Sequence, residues 1–273
     1  MIPARLVILN LARWLREYAF VWGVLSVVYS LTVTLLLQPI LERVFHREIP
    51  VAPLWALICG ILIVPGILEH LPLPSFSLRR GLLSLMSKGS FIRLYLRHEL
   101  RRGSTWLTIG LTVLVGVSLP DSKRALWILA AQLPVQRALY SIHRWRGLAL
   151  SFQPQTGASK LLAALSLSQV IQLLFAWSLL GLTGVFSVSQ WLLLGQGALG
   201  AVLSASMVAM EGDSGRPWIV NFISLASGIL GGYLCYASPW VLLLVAYLFR
   251  NMQTNVGMRL HSVEHLDEDT LIP

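Results

Sequence analysis

The chain has 273 residues, of which 56% are hydrophobic and only 12% are charged. Soluble domains carry about 25% charged residues, so this chain has too few charges to cover a water-exposed surface of its size. The net charge of +9 does not indicate nucleic-acid binding, because the Lys and Arg residues lie between long apolar blocks. This arrangement is typical of a helical membrane protein, whose main partner is the lipid bilayer.

The first predicted element is an amphipathic helix over residues 4–17. At about 100° per residue, Val7, Leu11 and Trp14 share one face of this helix, and charged residues such as Arg13 occupy the other. The pattern predicts an N-terminal helix that lies in the membrane interface.

Eight apolar blocks follow and predict a polytopic all-α transmembrane bundle of about eight spans, with a range of six to eight. The predicted spans are 19–41, 51–69, 104–119, 124–142, 161–186, 190–210, 217–235 and 238–250. A span needs about 20 residues, so the third and the eighth are short. Pro65 and Pro134 should kink the second and fourth spans. Gly231 and Gly232, with Pro239 beyond, predict the break between the last two spans, without which the count falls to seven.

The positions of the basic residues predict the orientation. With eight spans and a cytoplasmic N-terminus, all but four of the 21 Lys and Arg residues fall on the cytoplasmic side. This asymmetry satisfies the positive-inside rule and predicts an inner-membrane protein with both termini in the cytoplasm. Residues 1–250 then form a single transmembrane domain with two basic cytoplasmic loops, 70–103 and 143–160, and residues 251–273 form a cytoplasmic tail.

Three short motifs suggest chemistry, but each has a simpler explanation. The GDSG sequence at 212–215 matches a serine-protease nucleophile, yet here it lies between two apolar blocks, where it can cap the next helix before Pro217. The HxxEH sequence at 261–265 matches a zinc motif, but the tail offers no buried helix and no further ligand. Glu99, beside His98 and several arginines, is interpreted as a charge partner and not as a general base. No catalytic residue, metal ligand or cofactor is predicted, so we expect this chain not to be an enzyme by itself.

The predicted spans contain few strongly polar residues. No carboxylate lies well inside a span, which disfavours a proton-coupled transporter. Gln169 and Gln172 share one helical face and, with Asn221, are candidates to line a path for an amphipathic substrate. The alternative is that these residues form hydrogen bonds between helices. Glycines in the late spans predict close helix packing or a dimer interface.

The basic loop before the third span carries a resemblance to a known family. Four parts of the chain resemble parts of the permease subunit of bacterial ABC transporters of the ABC-2 exporter type. They are the segment FIRLYLRHELRRG (91–103), the amphipathic helix before the first span, and the connectors LPLPSFSLRRGLLSLM (71–86) and QPQTGASKLLAALSL (153–167). The resemblance implies the membrane-spanning permease subunit of an ATP-driven exporter. Such a subunit has no nucleotide site, and the sequence contains no GxxxxGK[ST] motif.

The resemblance also implies partners. A separate P-loop ATPase would bind the cytoplasmic loops, and a second copy or a homologous permease would help to enclose the path. Arg93, Arg97 and Arg101 recur every four residues, so they form one basic ridge on a helix. We refer to these three residues as the basic ridge, which is the candidate contact for the ATPase or for anionic lipid headgroups.

Two alternatives to the exporter reading stay open. One is a membrane-embedded lipid-modifying enzyme that binds a phosphate at the interface. The arginines that would bind it are Arg79, Arg80, Arg144 and Arg146. The other is a non-catalytic scaffold subunit of a larger membrane complex.

Overall fold

The computed structural model describes residues 27–28, 30–43, 46–70, 91–140, 157–211 and 217–253. These residues are helical apart from short connections, and they contain no strand. The predicted interfacial helix at 4–17 and the motifs at 212–215 and 261–265 lie outside the described residues. The same holds for residues 71–86, for most of the loop 143–160 and for residues 254–273.

Helices occur at or near every predicted span. In chain order they are α1 (30–43), α2 (Val51–His70), α3 (Phe91–Arg101), α4 (Gly103–Ser118), a 3-10 turn (Asp121–Leu126), α5 (Trp127–Ala130), α6 (Gln132–Tyr140), α7 (Gly157–Leu182), α8 (Val188–Glu211), α9 (Pro217–Ala237) and α10 (239–253).

Four of the described helices, α2, α7, α8 and α9, contain segments long and apolar enough to cross a membrane. α4 is apolar but shorter. Many large apolar side chains point outward, including Leu174, Leu182, Val188 and Leu192, which are 49–83% exposed. So much outward-facing apolar surface suits contact with lipid rather than with water. The all-helical fold predicted from the sequence is thus observed, and four of its described helices are suited to span a membrane.

The predicted fourth span forms the centre of the bundle, but it is not one continuous helix. Every residue from Ala125 to Ala138 is buried, and α6 contacts α2, α4, α7, α8 and α9. The helix is interrupted at Ala131, between α5 and α6. This interruption lies three residues before Pro134, the residue that was predicted to kink the span. Pro134 has no N–H to donate to the Ala130 carbonyl. The Thr112 hydroxyl of α4 lies 3.3 Å from that oxygen, although its shorter hydrogen bond, at 2.8 Å, is to the Thr108 carbonyl of its own helix. Pro65, in contrast, lies inside the continuous helix α2.

The predicted break between the last two spans is confirmed next to Pro239, but Gly231 and Gly232 take no part in it. α9 continues through both glycines to Ala237, and the break falls at Ser238, immediately before Pro239. A residue that precedes proline is disfavoured in the helical conformation, whereas proline itself is well placed in the first turn of α10.

The late glycines instead allow α8 and α9 to pack backbone against backbone. A Cβ at Gly197 of α8 would lie 3.0 Å from the Gly232 carbonyl oxygen, and a Cβ at Gly232 would lie 3.1 Å from the Gly197 carbonyl oxygen. Gly200 and Gly231 form a second facing pair one turn away. The prediction of close packing is therefore confirmed for these glycines, and the packing occurs within one chain.

Candidate functional site

Helix α3 has one buried face and one basic face. Tyr95, Leu96 and Glu99 are fully buried, and α3 contacts α4 and α7. On the basic face, Arg97 is exposed, and Arg93 and Arg101 are half-buried. The basic ridge predicted from the four-residue spacing thus lies on a real helix whose opposite side packs into the protein.

The turn between α3 and α4 is closed by hydrogen bonds from the first residues of α4. The Thr105 hydroxyl donates to the Glu99 carbonyl at 2.6 Å, and the Trp106 indole N–H donates to the Leu100 carbonyl at 2.9 Å. These bonds satisfy carbonyl groups that the end of α3 leaves without a helical partner. Arg102, the single residue between the helices, has an extended backbone (φ −78°, ψ 132°), which turns the chain sharply. The two helices are therefore fixed at this corner.

A buried ion pair joins α3 to the centre of the bundle. Glu99 Oε2 accepts a hydrogen bond from the guanidinium of Arg137 on α6, and both side chains are fully buried. Arg137 Nη1 also donates to Ser104 Oγ at 3.3 Å, while Arg102 Nη1 lies 3.8 Å from Glu99 Oε1. The interpretation of Glu99 as a charge partner is confirmed. Arg137, which the orientation count placed in a cytoplasmic segment, lies in the helix α6 as a buried partner of Glu99.

The protonation state of Glu99 follows from these neighbours. Burial raises the pKa of its carboxyl group, but the positive charges of Arg137, Arg102 and His98, and the hydrogen bond from Arg137, outweigh that effect. The net result is a pKa below the ordinary value for glutamate. Glu99 is therefore ionised at neutral pH and suited to hold a cation, but it is not suited to act as a general acid or base.

The predicted path-lining residues lie on other elements than the basic ridge. Gln169 and Gln172 on α7 are completely buried, and Asn221 on α9 is 5% exposed. Gln169 accepts a hydrogen bond from Ser206 of α8 at 3.0 Å, and Gln172 donates to Ser168 of its own helix at 3.1 Å. One of the two thus bridges helices, as the packing alternative predicts, while their role in a path stays a prediction.

Sequence reasoning missed two features of this interior. Gln136 was not singled out, although it lies four residues after Gln132 on the same face of α6 and both are buried. Arg137 was missed as an interior residue, although the lone carboxylate of Glu99 in a basic stretch called for a specific partner. Finding that partner requires the fold, since the two residues are 38 positions apart.

The opposite end of the bundle also carries polar contacts. Arg124 pairs with Asp121, donates to Gln190 Oε1 at 3.1 Å, and lies over the Phe186 ring at 4.9 Å from its centroid. These contacts tie the turn before α5 to the connection between α7 and α8. The Asp121 carboxylate is 84% exposed, so this pair contributes little to stability.

Close to that end, α7 and α8 form a tryptophan clasp and an apolar cleft. The rings of Trp177 and Trp191 are stacked with centroids 3.8 Å apart, and each indole N–H donates to the other residue's carbonyl group. Beside the clasp, a half-open cleft of about 240 Å³ lies between the helices, with Leu174 and Leu192 among its lining residues. The cleft is suited to apolar groups such as lipid chains and offers no reactive side chain.

Within the described ranges there is no group of three or more His, Cys, Asp or Glu residues that could hold a metal ion. No protein-family model, curated protein or solved structure matches the chain. The assignment of function therefore rests on the geometry of α3 and of the bundle to which α3 is joined.

Proposed function

We propose that this chain is the membrane-spanning permease subunit of an ATP-driven exporter of the ABC type. The observation that carries the proposal is the attachment of α3: Arg97 on its basic face is exposed, while its buried face is joined through Glu99 to Arg137 of the central helix α6. A helix built in this way can receive a force at its surface and pass it to the spans. Such a connection is what a permease needs if the ATPase is a separate protein.

The proposal includes the finer topology of eight spans in the inner membrane with both termini in the cytoplasm. Contacts in the bundle support this topology. Glu99, Ser104 and Arg137, all near the predicted cytoplasmic ends of their spans, lie together. Arg124 and Gln190, both near predicted outer ends, also lie together. If the helices 103–118 and 127–140 run antiparallel through the membrane, the start of the first and the end of the second lie on the same side, so the two groups of residues fall at opposite ends of the bundle.

The topology can be tested by cysteine labelling in intact cells. In a background with Cys59→Ala and Cys235→Ala, we expect a membrane-impermeant maleimide to label Ser189→Cys and not Arg97→Cys. After the membrane is permeabilised, both positions should react, because both side chains are exposed. Labelling of Arg97→Cys in intact cells would contradict the orientation.

The ATPase partner can be tested by affinity purification of the tagged chain from native membranes in mild detergent, followed by mass spectrometry. We expect a P-loop ATPase to co-purify with the wild type and to be lost in the triple variant Arg93→Glu, Arg97→Glu, Arg101→Glu. The matched control is Arg43→Glu, Arg47→Glu, which reverses exposed arginines on the predicted outer side. If no ATPase co-purifies with the wild type, or if the control variant loses the ATPase to the same extent, the result would contradict the proposal and favour the scaffold and lipid-enzyme alternatives.

A further inference from the structure

Four glutamines are buried in the interior of the bundle with incomplete hydrogen bonding. Gln132 and Gln136 on α6, and Gln169 and Gln172 on α7, are each at most 1% exposed. Among the described residues, neither amide atom of Gln132 has a hydrogen-bond partner. The same is true of Gln136 Nε2, Gln169 Nε2 and Gln172 Oε1. Buried amide groups are costly unless they are hydrogen-bonded, so these atoms call for a partner that the described protein does not supply.

Two of these glutamines approach the same turn of α8. Gln132 Oε1 lies against Gly228 of α9, where a Cβ would be only 2.5 Å from that oxygen and 3.0 Å from the Cβ of Ala205. Gln169 meets the next residue of α8, Ser206, from another side. The absence of a side chain at position 228 thus makes room for the amide of Gln132. We refer to Gln132, Gln169 and Ser206 as the glutamine cluster.

The charge of the surroundings limits what the cluster can bind. Arg137 follows Gln136 directly, but its charge is compensated by Glu99, and Ser104 takes a further N–H. The members of the cluster carry no charge, and they offer both donors and acceptors. The site is therefore suited to hydroxyl or carboxamide groups and disfavours ions, which would lose their hydration without gaining a counter-charge.

We propose that the glutamine cluster is an internal binding site for uncharged hydrogen-bonding groups, which water occupies and which a small hydroxyl- or amide-bearing molecule can enter. The side chains that would contact the bound group are those of Gln132 and Gln169, which keep unpartnered amide atoms beside Ala205 and Ser206. This inference goes beyond the proposed function and does not depend on an ATPase partner.

The test uses a pair of alkylating probes that differ in charge. In a Cys59→Ala background, Ser206→Cys puts a thiol in the cluster, while native Cys235, which is completely buried against Gly200, serves as a dry internal control. We expect iodoacetamide, an uncharged carboxamide, to alkylate Cys at position 206 at least ten times faster than Cys235, as measured by mass spectrometry of the intact protein in nanodiscs. Iodoacetate, the anion of similar size, should show no such preference after correction for its rate at Ser189→Cys.

Equal iodoacetamide rates at the two positions would overturn the proposal, as would an equal preference shown by iodoacetate. A second variant protects the test against misfolding of Ser206→Cys. Gln132→Met keeps the length of the side chain and removes its hydrogen bonds. If the Gln132 amide is hydrogen-bonded to water, its loss should lower the thermal unfolding midpoint of this variant. A midpoint equal to or above that of the wild type would identify a dry, unsatisfied amide and would also overturn the proposal.

Discussion

The buried pair between Glu99 and Arg137 makes a quantitative prediction about stability. Glu99→Gln preserves the shape of the side chain but leaves the Arg137 guanidinium in the interior without its counter-charge. Both partners are fully buried, so solvent does not screen the loss. Removal of one member of such a pair costs about 3–5 kcal/mol, and we expect the free energy of unfolding to fall by that amount.

The measurement is reversible unfolding in mixed micelles titrated with SDS and followed by tryptophan fluorescence. Asp121→Asn provides the matched control, because it neutralises the carboxylate of an ion pair that is 84% exposed and should cost less than about 1 kcal/mol. The double variant Glu99→Met, Arg137→Met removes both charges and should be less destabilised than Glu99→Gln alone. A Glu99→Gln protein as stable as the Asp121→Asn protein, or a double variant no more stable than Glu99→Gln, would refute the reasoning.

Three further predictions concern the titration of Glu99, the packing of Gly232 and the hydroxyl group of Thr112. The pKa of Glu99 is lower in the folded protein than in the unfolded chain. The difference in free energy of unfolding between the wild type and Glu99→Gln should therefore be constant near neutral pH and should shrink as the pH falls below about 4.5. A difference that does not change down to pH 3 would contradict this. Gly232→Ala should lower the free energy of unfolding by about 1–3 kcal/mol, because its Cβ would force α8 and α9 apart. The control Gly110→Ala, whose Cβ would meet nothing within 4 Å, should be neutral or stabilising by up to about 1 kcal/mol. Equal unfolding midpoints for the two variants would argue against close helix packing. Thr112→Val removes a hydroxyl that bonds to the Thr108 carbonyl at 2.8 Å and contacts the Ala130 carbonyl at 3.3 Å, and it should cost about 1 kcal/mol in the wild type. The contact to Ala130 should make the cost smaller in a Pro134→Ala background, where residue 134 regains the N–H that can bond to that carbonyl. A double-mutant cycle with no coupling would contradict this contribution.

The sequence was sufficient to predict the fold class and most helix positions. Long apolar blocks leave helices as the only economical way to satisfy the backbone in lipid, so α7, α8 and α9 begin and end within about four residues of their predicted bounds. Proline was a useful local signal at two positions, since Pro217 begins α9 and the interruption at Ala131 precedes Pro134, whereas Pro65 lies inside the continuous helix α2. The prediction used Gly231 and Gly232 together with Pro239 to mark the last break, but both glycines lie inside α9. Glycine can either end a helix or let it pack closely against another, and only the neighbouring helix decides which.

The interior of the site could not be predicted because it depends on contacts between distant segments. α3 was identified correctly as a basic amphipathic helix from its four-residue spacing. Its buried partner Arg137 was not, since counting charges treats every arginine near the end of a span as solvated. Likewise, Gln132 and Gln169 are ordinary polar residues in the sequence, and they share a turn of α8 only because α6, α7, α8 and α9 pack around one centre.

The attachment of α3 predicts that binding of an ATPase and mechanical coupling to it can be separated. The arginines of the basic ridge lie outside the Glu99–Arg137 pair, so Glu99→Gln removes the link to α6 without altering the charges at positions 93, 97 and 101. Under the proposed function, Glu99→Gln should still capture the ATPase but should stimulate its ATP hydrolysis at least ten-fold less than the wild-type chain does, measured in nanodiscs below the unfolding temperature of the variant. The variant with Arg93, Arg97 and Arg101 replaced by Glu should lose capture itself. A Glu99→Gln protein with full stimulation would show that force does not pass through this pair, and the role of α3 would then be limited to docking.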